Sequence, residues 1–250
     1  MSFDAHPRSS LIVALDFDSL SSAVKFAKQV ADLVGMFKVG SQLFTAAGPE
    51  AVKEIAALGP GIFLDLKFHD IPNTVAAAIL SCAAMPGVQL VNVHALGGKA
   101  MLHAAAQAIS AAQAMGADRP RLLAVTILTS MNDVTMRETG ISGTPSTRVV
   151  KLAQLAKQAG VDGVVASVQE AKAIRKACGL DFLIVTPGVR PKEKSSGKKK
   201  AKEDDQARTA TPTEAIRAGA DFLVVGRPIL AAEEPRTAAQ AIVEEIAAAK

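Results

Sequence analysis

The chain has 250 residues, 49% of them apolar, and a formal net charge of +4. That length suits one large α/β domain or two small ones, and the apolar share can bury a sizeable core without disulfides or metals. Aromatic residues make up only 4%, with no Trp or Tyr, which disfavours a single-stranded nucleic-acid binder built on stacking rings.

The charge is local rather than spread. Between Lys192 and Asp205 stand six Lys against four acidic residues, and the remainder is nearly balanced, which does not describe a surface that tracks nucleic acid. Cys82 and Cys178 lie in apolar, helix-like stretches without CxxC spacing, as small core residues in a reducing compartment would. The amino-terminal MSFDAHPRSS is too polar for a signal peptide, and no uncharged apolar run reaches membrane-spanning length. A cytoplasmic protein is expected.

Short β-rich runs alternate with Ala-rich helical patterns. Strands are predicted at Leu11–Asp16, Met36–Gly40, Ile62–Lys67, Leu90–Ala95, Arg121–Leu128, Gly163–Ser167, Phe182–Pro187 and Phe222–Gly226. Helices are predicted near 20–34, 49–58, 73–84, 99–115, 146–159, 168–177, 213–218 and 236–248. Ser19, Ser146 and Thr213 with Glu214 read as helix starts, and Gly160 and Gly219 as helix ends. Eight such alternations in one chain predict a single (β/α)8 TIM barrel over residues 1–250. The competing doubly wound sheet would carry a Gly-rich first turn, whereas the first strand here runs into Asp16-Phe17-Asp18.

A barrel places its chemistry at the carboxyl ends of its strands. Those ends carry Asp16, Lys38, Asp65 with Lys67, His94, Thr129 with Ser130, Ser167, Arg190 and Arg227. The third strand is the richest. Residues two apart share a face, so Asp65 and Lys67 point into the mouth while Leu64 and Leu66 turn out under the helices. Asp70 follows in the loop, Pro72 stiffens it, and Asn73 or Thr74 could cap the next helix. With Lys38 from the second strand, these groups form a nearly neutral alternating set that holds its members ionised. Such a set is either a structural ion network or a catalytic one, and its place on the rim favours catalysis.

The block Asp65-Leu66-Lys67-Phe68-His69-Asp70-Ile71-Pro72-Asn73-Thr74 resembles the signature of the orotidine 5′-monophosphate decarboxylases. The likeness extends through Ala14-Leu15-Asp16, Phe37-Lys38-Val39-Gly40, Val91-Asn92-Val93-His94-Ala95 and Val125-Thr126-Ile127-Leu128-Thr129-Ser130. It continues in Thr186-Pro187-Gly188-Val189-Arg190-Pro191 and Val225-Gly226-Arg227-Pro228-Ile229. The resemblance implies that Lys67 donates a proton to the pyrimidine carbon that loses CO2. It also implies that Asp70 crosses a homodimer interface with Ile71 and Thr74, and that Asp65 and Lys38 complete the charged set. Asp16 and Lys38 would bond the ribose, and Thr129 or Ser130 the pyrimidine. The signature block as a whole would line the substrate, with Arg190, Gln206, Gly226 and Arg227 binding its phosphate side. No cofactor and no metal is expected.

Gly188 and Gly226-Arg227 stand where barrels often grip phosphate, and a guanidinium can fork onto phosphate oxygens. Between Arg190 and Gln206 the chain is longer and richer in Lys than the family leads one to expect, and residues 191–207 are predicted to form a mobile loop. His94 is expected to hydrogen-bond under the site, and His69 to face away from Lys67. Two rivals remain. One is an Mg²⁺-dependent sugar-phosphate enzyme of the same barrel type, resembling hexulose phosphate synthases or keto-gulonate phosphate decarboxylases, although Ile71-Pro72-Asn73-Thr74 supplies no further acidic ligand. The other is a non-catalytic nucleotide-binding barrel.

Overall fold

The computed structural model describes residues 6–116, 118–191 and 209–250. Eight parallel strands close on themselves in chain order: β1 (Leu11–Ala14), β2 (Met36–Gly40), β3 (Gly61–Phe68), β4 (Val88–His94), β5 (Arg121–Val125), β6 (Gly163–Val165), β7 (Leu183–Thr186) and β8 (Phe222–Val225). The ring is completed by β1 pairing with β8, Ile12 opposite Val224. This is the (β/α)8 barrel that the strand–helix alternation predicts.

Two-residue periodicity sorts each strand into two layers. Ile12, Met36, Phe63, Leu90, Leu123, Val185 and Phe222 fill the barrel interior. Leu11, Val13, Phe37, Leu64 and Val91 face outward into a larger apolar layer shared with the helices. Burying Phe63 or Phe222 is worth about 3 kcal/mol or more each, judged by the cost of truncating such side chains. At the β6–β7 seam, a Cβ on Gly163 would collide with the Leu183 carbonyl and side chain, so only Gly allows that approach.

The helices are α1 (Leu20–Val30), α2 (Ser41–Ala47), α3 (Pro49–Ala56), α4 (Pro72–Ala83), α5 (Gly98–Ala114), α6 (Asp133–Glu138), α7 (Pro145–Gln158), α8 (Val168–Cys178), α9 (Pro212–Arg217), α10 (Arg227–Leu230) and α11 (Pro235–Ala249). Ser19 caps α1 as expected, accepting from the Ser22 N–H. Gly160 and Gly219 adopt positive φ just past α7 and α9.

Several local expectations are corrected. The α7 cap is Thr144 with Pro145 in the first turn, not Ser146. The α9 cap is Thr211, whose capping box with Glu214 displaces Thr213 from that role. Neither Asn73 nor Thr74 caps α4; the helix starts on Pro72, which needs no N–H partner there. Helices α2, α6 and α10 escape the sequence reading: each is 7 residues or fewer, too short for a 3.6-residue period to emerge, whereas the equally short α9 was flagged by its start signal. Strands β1, β5 and β6 end two or three residues early, at Ala14, Val125 and Val165. The apolar residues beyond them continue into loops, which is how Ile127 and Leu128 come to line the mouth.

Candidate active site

Along the inward face, side chains change from apolar to charged in one two-residue step toward the strands' carboxyl ends. Met36 is followed by Lys38, Phe63 by Asp65 and then Lys67, and Leu90 by Asn92. Above the apolar plug opens a cavity of about 320 Å³, whose walls include Asp16, Lys38, Asp65, Lys67, Thr129, Arg190, Gly226 and Arg227. A wider bowl of about 820 Å³ lies at the opposite end, among the strand starts Met36, Gly61, Val88 and Arg121, and holds none of this charged set.

The charged groups form a continuous chain. Lys38 Nζ donates to Asp16 Oδ1 at 3.0 Å and sits 3.5 Å from Asp65 Oδ2. Lys67 Nζ donates to Asp65 Oδ1 at 2.7 Å. Asp65 is buried, 7% exposed. Burial by itself would push its carboxyl up, but the charges of Lys38 and Lys67, with hydrogen bonds from Lys67 and Asn92, outweigh that and hold it below the usual carboxylate range. Asp65 therefore stays an anion between two ammoniums. Gly40 leaves room for this chain: a Cβ there would lie 2.7 Å from Lys38 Nζ.

Asn92 is a member that the sequence reading did not assign. It is fully buried on β4; its Nδ2 donates to Asp65 Oδ1 at 2.6 Å, and its Oδ1 accepts the Lys67 N–H at 2.8 Å. The available signal was a polar residue two positions past inward-facing Leu90, deep in an apolar strand. Lys67 itself has φ +53°, and the β3–β4 register slips there, with Leu64 opposite Val91 but Phe68 opposite Val93.

The rest of the signature block lies outside the cavity wall. Leu66 and Phe68 pack against the outer apolar layer. His69 is turned onto His94 with ring centroids 5.3 Å apart and planes at 18°. Asp70 accepts the Ile71 N–H at 2.6 Å. Asp70, Ile71, Asn73 and Thr74 are exposed, Ile71 by 66%, and Pro72 is half-buried. Within one chain these five stand at the rim rather than around the cavity. His94 Nδ1 accepts from the Leu96 N–H at 3.3 Å, a local cap rather than a bond to the charged chain. Burial, with the charges of His69 and Lys67, pushes its imidazole down to about 4.

At the end of β8, Gly226 precedes α10, whose first residue is Arg227. Arg190 follows a bridge between Val189 and Ala210, its N–H donating to the Ala210 carbonyl at 2.9 Å. Thr129 is buried and Ser130 exposed, both on the wall. Gln206 and the Lys-rich stretch lie outside the described residues. Among the described residues no three His, Cys, Asp or Glu gather as a metal site, and no helix is long and apolar enough to cross a membrane.

Fold and site together define a (β/α)8 barrel with an alternating Asp/Lys chain at its mouth. The sequence model of the orotidine 5′-phosphate decarboxylase / HUMPS family matches residues 9–242, and the chain belongs to that family. It is 53% identical over 96% of both chains to an orotidine 5′-phosphate decarboxylase of Pelobacter propionicus, and 54% identical, with the same coverage, to one of Geotalea uraniireducens. A crystal structure of orotidine 5′-phosphate decarboxylase from Lactobacillus acidophilus superposes with a TM-score of 0.81 at 39% identity, over 94% of this chain and 98% of that one.

Proposed function

We propose that this chain decarboxylates orotidine 5′-monophosphate to UMP and CO2, the last step of de novo pyrimidine nucleotide synthesis. The observation that carries the reading is the Asp16–Lys38–Asp65–Lys67 chain on one wall of a mononucleotide-sized cavity, in a member of this family. Arg227, Gly226 and Arg190, with Gln206, take the phosphate; Asp16 and Lys38 take the ribose; Thr129 or Ser130 takes the pyrimidine.

The bond from the ring carbon to the carboxylate breaks and leaves its electron pair on carbon. Lys67 delivers a proton to that carbon and regains one from water, so the reaction balances without a redox partner or cofactor. Because Lys67 is already anchored on Asp65 at 2.7 Å, its positive charge is in place before the carbanion develops, and little reorganisation accompanies the step. Binding energy from the distant phosphate positions the ring without touching the reacting carbon.

The second part of the reading is a homodimer with shared sites. Asp70, Ile71, Asn73 and Thr74 are exposed beside the mouth, and a two-fold neighbour could receive them, placing Asp70 against the substrate carboxylate. The buried free cysteines suit a cytoplasmic setting.

The test is a spectrophotometric assay of UMP formation from orotidine 5′-monophosphate, run with and without EDTA. Turnover unaffected by chelation is expected. Turnover of a sugar phosphate instead, lost with EDTA and restored by Mg²⁺, would transfer the chain to the sugar-phosphate branch.

A further inference from the structure

The structure assigns Asn92 the role of a positioning residue that sets both ends of Lys67. This rests on the reading of Lys67 as the proton donor. Lys67 is the only non-glycine residue with positive φ among the described residues. A left-handed backbone costs a non-glycine residue about 1 kcal/mol or more, so something must hold it there. It sits where the β3–β4 ladder breaks, with a step of four along β3, Leu64 to Phe68, against a step of two along β4, Val91 to Val93. At that break the Lys67 N–H finds a side-chain acceptor. The Asn92 Oδ1 takes it at 2.8 Å, and the same amide's Nδ2 grips Asp65 Oδ1 at 2.6 Å, the oxygen that Lys67 Nζ also uses.

One planar group thus pins the lysine's backbone and the carboxylate that aims its ammonium. The amide can point only one way, since reversal would set oxygen against carboxylate and NH2 against N–H. No other side chain of this size supplies both functions. Leu would match the volume but take away the acceptor of the part-buried Lys67 N–H. Asp would keep the acceptor and place a second carboxyl against Asp65. The groups facing Asp65 are Lys38 from β2, Lys67 from β3 and Asn92 from β4, with Asp16 beyond Lys38 and the His69–His94 stack beyond Lys67.

Three variants test the assignment: Asn92→Ala, Asn92→Asp, and Ile242→Ala as a control. Ile242 is fully buried on α11 and belongs to no part of the site, so its truncation loosens the fold alone. The measurements are kcat, KM and their pH dependence with orotidine 5′-monophosphate, and UMP affinity by calorimetry. Asn92→Ala is expected to lower kcat by at least about 100-fold, the range of a misplaced general acid, with UMP affinity held within about fivefold, roughly 1 kcal/mol. Ile242→Ala keeps kcat within about threefold, well under the 1.4 kcal/mol of a tenfold change.

Asn92→Asp is isosteric and keeps the test open if Asn92→Ala does not fold. Its new carboxyl must share a proton with Asp65, so its activity is expected to be highest at acid pH and to fall as the pH rises and that proton leaves. The wild type, with no second carboxyl beside Asp65, is expected to show no such fall. An Asn92→Ala kcat within fivefold of wild type, an effect on KM alone, an Asn92→Asp profile parallel to wild type, or an equal kcat loss in Ile242→Ala would overturn the assignment. A wild type that forms no UMP would instead sink the proposed activity.

Discussion

His94 gives the structure a measurable acid sensitivity. Its ring is stacked on His69, its Nδ1 accepts the Leu96 N–H, and burial with the nearby charges of His69 and Lys67 lowers its imidazole from 6.5 to about 4. In the unfolded chain His94 takes up a proton as the pH falls through about 6.5. The folded chain resists until about 4. Across that window the unfolded state binds more protons, so stability rises with pH between about 4 and 6.5 and is lost on acidification. Each pH unit of separation is worth about 1.4 kcal/mol, which puts the ceiling near 3 kcal/mol. Solvent reaches part of the ring, and screening reduces the expected loss to about 1–2 kcal/mol by pH 4.5. Asp65 adds little within the window, because a depressed carboxylate loses its stabilisation only as the pH falls through its ordinary value of 3.8 and below. The perturbation is His94→Asn, which cannot titrate yet still offers an oxygen at the Nδ1 position to the Leu96 N–H. Urea unfolding of both proteins at pH 7, 5.5 and 4.5, at one fixed concentration because assembly is linked to stability, should show the wild type losing stability and the variant much less. Parallel slopes for the two proteins would refute the account of His94.

Lys67→Ala should fold and bind UMP yet lose at least about 1,000-fold in kcat, and activity within about tenfold of wild type would remove Lys67 from the mechanism. Gly40→Ala should fold but force Lys38 Nζ, 2.7 Å from the new Cβ, off Asp16 and Asp65. A fall in kcat/KM of about tenfold or more is expected, and an unchanged value would mean the chain tolerates the shift. Lys67→Ala and Asp70→Ala, each inactive, should regain activity when refolded together. Random pairing makes about half the dimers hybrid with one intact site each, so roughly a quarter of wild-type activity should return. Verified hybrids with no activity would show that each site is built within one chain.

The barrel was legible because its cause is local. Each strand carries a short apolar run, each long helix repeats its apolar residues at helical spacing, and eight alternations leave few ways to close a sheet. Asp65 and Lys67 were legible for the same reason: two residues apart on one strand, they had to share a face. Lys38 was assigned to them by its strand end, and the 3.0 and 3.5 Å contacts to Asp16 and Asp65 realise that placement. Only tertiary structure could decide the remainder. The left-handed Lys67 and the bulge beneath it arise from how β3 lies on β4, and no propensity of Lys predicts either. Asn92 reads in sequence as a polar interruption of an apolar strand; its function exists only because Asp65 and the Lys67 N–H, 27 and 25 residues away, arrive at its two ends. Pattern along the chain specifies which face a side chain takes, whereas which partners meet there depends on register between strands, and register is fixed by the closed barrel as a whole.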